Sequence, residues 1–377
     1  MKYKFLILLL LIFFINTNAV AFSSSKNSNQ NVIDEFLEAS KEYSSEIFPE
    51  LENGEVLENI IKGNSFSSET ILERILDLFT SEIKASISIA LKIVAVSVIC
   101  SLLKNIQVHN NNNVGEIAFY IFYLFVVTLV ISSYSEISGI CVETMNELNG
   151  FMNTIVPLFL SLMVINGNIV SVNLMQPSLL LMINLVNTLI VNIIIPIIFI
   201  SLIINIISGI SNNIEVSKLP SILQKSSVWT VNFILGILIG ILSLEGTLAA
   251  NVDGFTAKTT KTVVSTFIPV VGKALSDATD SIIGAASITK NALGIVGVIA
   301  IVGIVCIPII KTLIMMIIFN ISSALIEPLV DKRMAKCVSE ASESIKIIFG
   351  LMTTVSILFI ISITLMIKVG NFTLMYK

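Results

Sequence analysis

The stretch from Val263 to Ile282, VVSTFIPVVGKALSDATDSI, sets the reading of the whole chain. It is apolar enough to enter a membrane, yet it carries Lys273, Asp277 and Asp280. At about 100° per residue, Phe267, Val271, Ala274, Leu275, Ala278 and Ile282 share one arc. Lys273, Ser276, Asp277, Asp280 and Ser281 share the opposite arc. The pattern predicts a two-faced helix, interrupted near its start by Pro269. Such a helix is too short and too charged on one side to be an ordinary span. It suits a wet cavity, the membrane surface or a docking partner.

Working outward, composition fixes the class. Of 377 residues, 55% are hydrophobic and 13% are charged, where a soluble domain carries about 25% charged residues. The expectation is an all-α, polytopic membrane protein. The formal charge of −4 conceals an asymmetry: residues 22–82 hold thirteen of the 26 acidic residues and four basic ones. No basic footprint for nucleic acid is present. Cys100, Cys141, Cys306 and Cys337 are far apart, without metal-ligand spacing, and read as small packing residues. The one histidine, His109, stands in an asparagine run and reads as a solvated loop residue.

Lys2 and Lys4, an apolar run and Ala19-Val20-Ala21 predict a signal peptide over residues 1–21. Residues 22–82 predict an acidic extracytoplasmic arm, with a short helix around Ile71, Ile75, Leu78 and Phe79. Residues 83–377 form the polytopic domain. Six spans are predicted, at 83–103, 117–132, 179–210, 228–244, 292–318 and 345–367. The fourth carries Gly236 and Gly240 at a spacing that permits close helix contact. Lys92 and Lys311 fall inside spans, and each must face protein or water or snorkel to an interface. Between spans, Glu136–Asn149 reads as a polar outer loop, and Phe151–Ile165, with Pro157, as a short re-entrant or surface helix. Val263–Ile282 is its outer-side counterpart. With the mature N-terminus outside, Lys104, Lys218, Lys225, Lys332, Arg333 and Lys336 fall on the inner side, as positive-inside bias requires. An internal repeat at an offset of 112 residues, over units 115–226 and 227–344, pairs Pro157 with Pro269 and Pro196 with Pro308.

No enzyme constellation stands out. Gly272-Lys273 lacks the rest of a phosphate-binding loop, and neither GxSxG nor HExxH occurs. Asp277 and Asp280 lie three apart on one helix face and are compatible with a cation site or proton relay, but read first as a solvated polar face balanced by Lys273. No cofactor or metal is implied. Asp253 to Lys261, DGFTAKTTK, is rich in small polar residues. It reads as a flexible outer-side loop in which Asp253, Lys258 and Lys261 contact a partner, or as a plain loop whose lysines meet lipid phosphate.

The run from Asp253 to Ile282 resembles the signature of the stage III sporulation protein AE family. The leader, acidic arm and polytopic remainder are similar too. The resemblance implies residence in the mother-cell membrane around the forespore, within a multiprotein channel needed for late forespore gene expression. It also implies partners: sibling stage III A proteins, including a secretion-type ATPase and ring-forming proteins, and a forespore membrane protein. It implies no catalytic residues. Two functional readings follow. One is a scaffold or pore-forming component of a secretion-like channel. The other is a permease for a small solute, with Lys92, Lys273, Asp277, Asp280 and Lys311 lining a cavity.

Overall fold

The computed structural model describes residues 68–107, 112–210, 218–267 and 271–375. The predicted leader and most of the acidic arm lie outside them. Among the described residues every regular element is helical. The helices are α1 (Ser68–Gln107), α2 (Asn112–Ile165), α3 (Ile169–Leu189), α4 (Ile195–Ile210), α5 (Lys218–Phe267), α6 (Val271–Ile326) and α7 (Lys332–Met375). A π-helical segment, Ile190–Ile194, joins α3 to α4 in one rod. Among the described residues, six helical stretches are long and apolar enough to cross a membrane, in keeping with the composition.

The helices are longer than spans need to be. α2 has 54 residues, about 81 Å at 1.5 Å per residue, against a hydrocarbon core of about 30 Å. Several segments read as separate are therefore parts of long rods. The helix around Ile71–Phe79 is fused to the first span within α1. Glu136–Asn149 is not a loop, and Phe151–Ile165 is not a separate short helix: both continue α2 through Pro157. Asp253–Lys261 is helical as well, within α5. There Thr256, Thr259 and Thr262 donate to carbonyls four residues back, which occupies the hydroxyls that would otherwise favour a loop. Val263–Ile282 divides between the end of α5 and the start of α6, and Pro269 between them lies outside the described residues. The 112-residue offset does not carry into the helix bounds. Helices α2 and α5 end at Ile165 and Phe267, 102 residues apart, and Pro157 sits inside α2.

The last helix is the central one. α7 packs against α2, α3, α4, α5 and α6 and buries Ile345, Ile348, Met352, Val355, Phe359 and Ile363. Close approach is made by Gly246 of α5, where a Cβ would lie 2.8 Å from Val369, and by Gly294 of α6, where it would meet Ile367. Gly236 and Gly240 instead face open space, so the expected GxxxG contact is not made. Cys100, Cys141 and Cys337 are buried, as packing residues should be, and Cys306 is half-buried.

Contacts along α7 give the other helices their heights. Gln224 reaches Ser344 at 3.4 Å, and Gly246 meets Val369, so the apolar stretches of α5 and α7 stand side by side. Trp229 and Phe233 stack at 5.1 Å, exposed, near the lower edge of that level, a common place for interfacial aromatics. Asn205 bonds Glu340 at 2.8 Å and Ser362 meets the Met182 sulfur at 3.9 Å, so the α3–α4 rod runs antiparallel to α7. α1 sits lower. Its Ser97 faces the Met334 sulfur at 3.6 Å, level with the charged first turns of α7. The apolar stretch of α1 is therefore offset along the bundle from those of α5 and α7.

Candidate functional site

The turn between α2 and α3 is tight. Gly167 adopts φ 81°, a left-handed conformation that suits glycine, and lets Gly167 and Asn168 donate back to Val164 and Met163. The following helix has Asn168 at its N-cap without a side-chain cap bond. Its second and third backbone N–H groups are instead taken by Asp253, from α5. Val170 N donates to Asp253 Oδ1 at 2.9 Å, Ser171 N to Oδ2 at 2.9 Å, and the Ser171 hydroxyl to Oδ2 at 2.6 Å. Asp253 is 3% exposed. A carboxylate from a distant helix thus performs the work of a local cap, and its charge opposes the positive end of the α3 dipole. Asp253 was expected to be a loop residue open to a partner. It is a buried clasp that ties α5 to the α2–α3 turn.

Among the other predicted positions, none whose side chain is described is a hydrogen-bond partner of Asp253. Lys258 is exposed further along α5. Lys261 is in the same helix, with its side chain outside the described residues. Lys273, Asp277 and Asp280 fall in the first turns of α6, again with side chains outside the described residues. Pro157 is exposed on α2. Lys92 is exposed on α1 and Lys311 half-buried on α6. A lysine of more consequence is Lys290, which is fully buried and donates to the Ile367 carbonyl of α7 at 3.0 Å. Among the described residues no group of three or more acidic, histidine or cysteine side chains could hold a metal ion.

The site that sequence reasoning missed is a polar seam between α2 and the α3–α4 rod. Asn187 donates to Asn146 at 3.2 Å. Asn184 donates to Asn153 at 3.4 Å, and Asn153 to Asn149 at 3.3 Å. Glu136, Glu143 and Glu147 run beside this ladder on α2, all exposed. Thr188 and Asn192 continue it on the rod, also exposed. By the contacts that set the heights, the seam stands level with the apolar stretch Ile347–Ile367 of α7. On lipid a charged side chain at such depth costs about 3 kcal/mol. The face is therefore built for something other than lipid.

The backbone of the seam is also unusual. Pro157 supplies no N–H to the Asn153 carbonyl, and Pro196 supplies none to Asn192. The π-helical segment Ile190–Ile194 closes against the second of these prolines, with Ile195 N donating five residues back to Ile190. Segments of this kind recur at functional sites. Two signals for the seam were present in the sequence. Asparagines recur at 146, 149 and 153 and again at 184 and 187, and no lysine or arginine occurs from Asn105 to Ser217. Asn146 and Asn149 were submerged in what read as a loop, Asn153 in what read as a short surface helix, and Asn184 and Asn187 in what read as an ordinary span.

Comparison with known proteins places this architecture. The family profile of stage III sporulation protein AE matches residues 51–370. The stage III sporulation protein AE of Bacillus subtilis (strain 168) is 30% identical over 332 residues, covering 88% of this chain and 83% of the relative. No solved structure matches. The match runs through the Asp253 clasp, the α2–α3 seam and the central α7 alike, and the chain belongs to the stage III sporulation protein AE family of sporulation proteins.

Proposed function

We propose that this chain is an integral membrane component of the multiprotein, secretion-like channel that joins mother cell and forespore during endospore formation. In this reading it lies in the mother-cell membrane around the forespore. Its acidic N-terminal arm faces the intermembrane space, where it meets ring-forming sibling stage III A proteins. The secretion-type ATPase acts from the other side. The observation that carries the reading is the polar seam. A member of a sporulation family with six candidate spans keeps an exposed row of asparagine and glutamate at the height of its own apolar stretches. A scaffold that only anchored other proteins would have no need of it.

The test is made in sporulating cells of the source organism. Photocrosslinkers placed in residues 22–67 are expected to capture sibling stage III A proteins. A reporter fused near Lys258 is expected to read as outside the mother-cell cytosol. Cytosolic readout at Lys258, or crosslinks to no sibling protein, would reject the channel reading.

A further inference from the structure

We propose that the first turns of α5 hold an anionic phospholipid, its phosphate on Lys218 and Lys225 and its acyl chains along Trp229 and Phe233. The inference needs only that the chain spans a bilayer, and it stands apart from the channel reading.

Helical spacing places Lys218, Ile222, Lys225, Trp229 and Phe233 on one arc of about 80°. All five are exposed, Trp229 by 65% and Ile222 by 60%. The opposite face is fixed to the bundle. Ser201 of α4 donates to the Pro220 carbonyl at 3.1 Å, Gln224 reaches Ser344 of α7 at 3.4 Å, and Ser227, Val231 and Leu235 are buried. The arc that carries the lysines therefore points away from the protein.

What lies beyond that arc is lipid. The stretch Lys218–Thr256 is long and apolar enough to cross a membrane, and exposed apolar residues continue from Phe233 through Ile237, Leu244 and Leu248. At its start this stripe changes chemistry in a set order. Trp229 and Phe233 stack at 5.1 Å with their planes 8° apart, an aromatic pair suited to the level where acyl chains give way to headgroups. Lys225 follows one turn further out, about 6 Å along the axis, and Lys218 about 10 Å beyond it. A lysine stem covers apolar surface while its ammonium reaches outward, so Lys225 meets the phosphate layer above the tryptophan and Lys218 closes over it.

Charge fixes the class of lipid. From Lys218 to Leu244 the helix has two lysines and no acidic residue. Among the described residues neither lysine has an acidic partner. At the level of Ser344 the carboxylates of α7 are engaged elsewhere, Glu340 with Asn205 at 2.8 Å and Glu343 with Lys346 at 3.0 Å. A zwitterionic headgroup would bring its own cation against two ammonium groups. An anionic one brings phosphate without that cation, and each lysine at this level favours it about fivefold.

Trp229 is the sole tryptophan of the sequence, so its fluorescence reads this face alone. The full-length chain is reconstituted into phosphatidylcholine vesicles that contain a minority of phosphatidylglycerol. Bromine is placed on the acyl chains of either the phosphatidylglycerol or an equal amount of the phosphatidylcholine. Only a lipid carries the quencher, which separates a bound phospholipid from a bound phosphate ion. Brominated phosphatidylglycerol is expected to quench as though enriched about fivefold or more at Trp229. Lys225→Gln alone should remove about fivefold of that enrichment, and the Lys218→Gln, Lys225→Gln double variant all of it. Lys258→Gln, near the other end of α5, should leave it unchanged. Equal quenching by the two brominated lipids would overturn the proposal, as would an enrichment that survives the double variant. An equal loss in Lys258→Gln would also overturn it, leaving a general attraction of positive charge in place of a site. Both target lysines are exposed and outside the packing, so the variants should melt with the parent chain.

Discussion

On α5, Phe233, Ile237, Ile241, Leu244 and Leu248 expose a continuous apolar stripe. At about the same height, α2 exposes Glu136, Glu143, Asn146 and Glu147. Both helices are long, both lie in stretches apolar enough to cross a membrane, and both pack on α7. They differ in what their outer faces can tolerate. Average hydropathy along a helix says that it enters the membrane. Only the arrangement of the remaining polar residues says which side of it meets lipid.

Swapping chemistry between these faces gives the largest expected effect. Ile241→Glu should cost about 3 kcal/mol of insertion or folding free energy, whereas Glu143→Leu should leave stability unchanged or raise it. Thermal melting of the purified chain in detergent measures both, and equal losses would erase the distinction between the faces. The clasp comes next. Asp253→Ala leaves Val170 and Ser171 N–H groups buried without acceptors and should cost about 2–3 kcal/mol. Asp253→Asn, which keeps one acceptor oxygen, should cost roughly half as much, and the same melts resolve the order. Among the glycines, Gly294→Ala must displace Ile367 and should cost about 1–3 kcal/mol. Gly240→Ala should be close to neutral, and the reverse ranking would restore the GxxxG reading. The smallest effect is within the seam: a double-mutant cycle on Asn146 and Asn187 should give a coupling of about 0.6 kcal/mol.

How far the sequence could be read depended on whether a signal was carried by many residues or by few. Six apolar stretches survive as six candidate spans because hydrophobic burial is summed over some twenty residues each. Charge bias placed Lys218, Lys332 and Arg333 at one end, and the fold agrees: Ser201 bonds Pro220, and Arg333 stacks over Phe119 at 4.3 Å, so the ends of α2, α4, α5 and α7 meet there. Boundaries fared worse. Pro157 was read as the mark of a short segment, but a proline costs a helix one hydrogen bond, and the packing of Ile155, Val156 and Phe159 outweighs it. Glu136–Asn149 was read as a loop because its polar residues were counted rather than placed. Their apolar neighbours Ile137, Cys141, Met145 and Leu148 recur at three or four residues and are all buried, the period of a helix. Asp253 could be singled out as a member of a motif. Its partner, some 82 residues earlier, could not, since no local pattern announces a cap supplied from another helix.

The position of α7 bears on how the chain is made. It follows the other described helices in the chain, at Lys332–Met375, and it is also the axle on which five of them turn their apolar faces. During synthesis those helices reach the bilayer before the surface they are meant to cover has left the ribosome. Until then the other helices have one another, α1 on α6, α3 on α5 and α2 on both α3 and α6, but not their common partner. A truncation within α7 would therefore be felt throughout the molecule, not only where it falls.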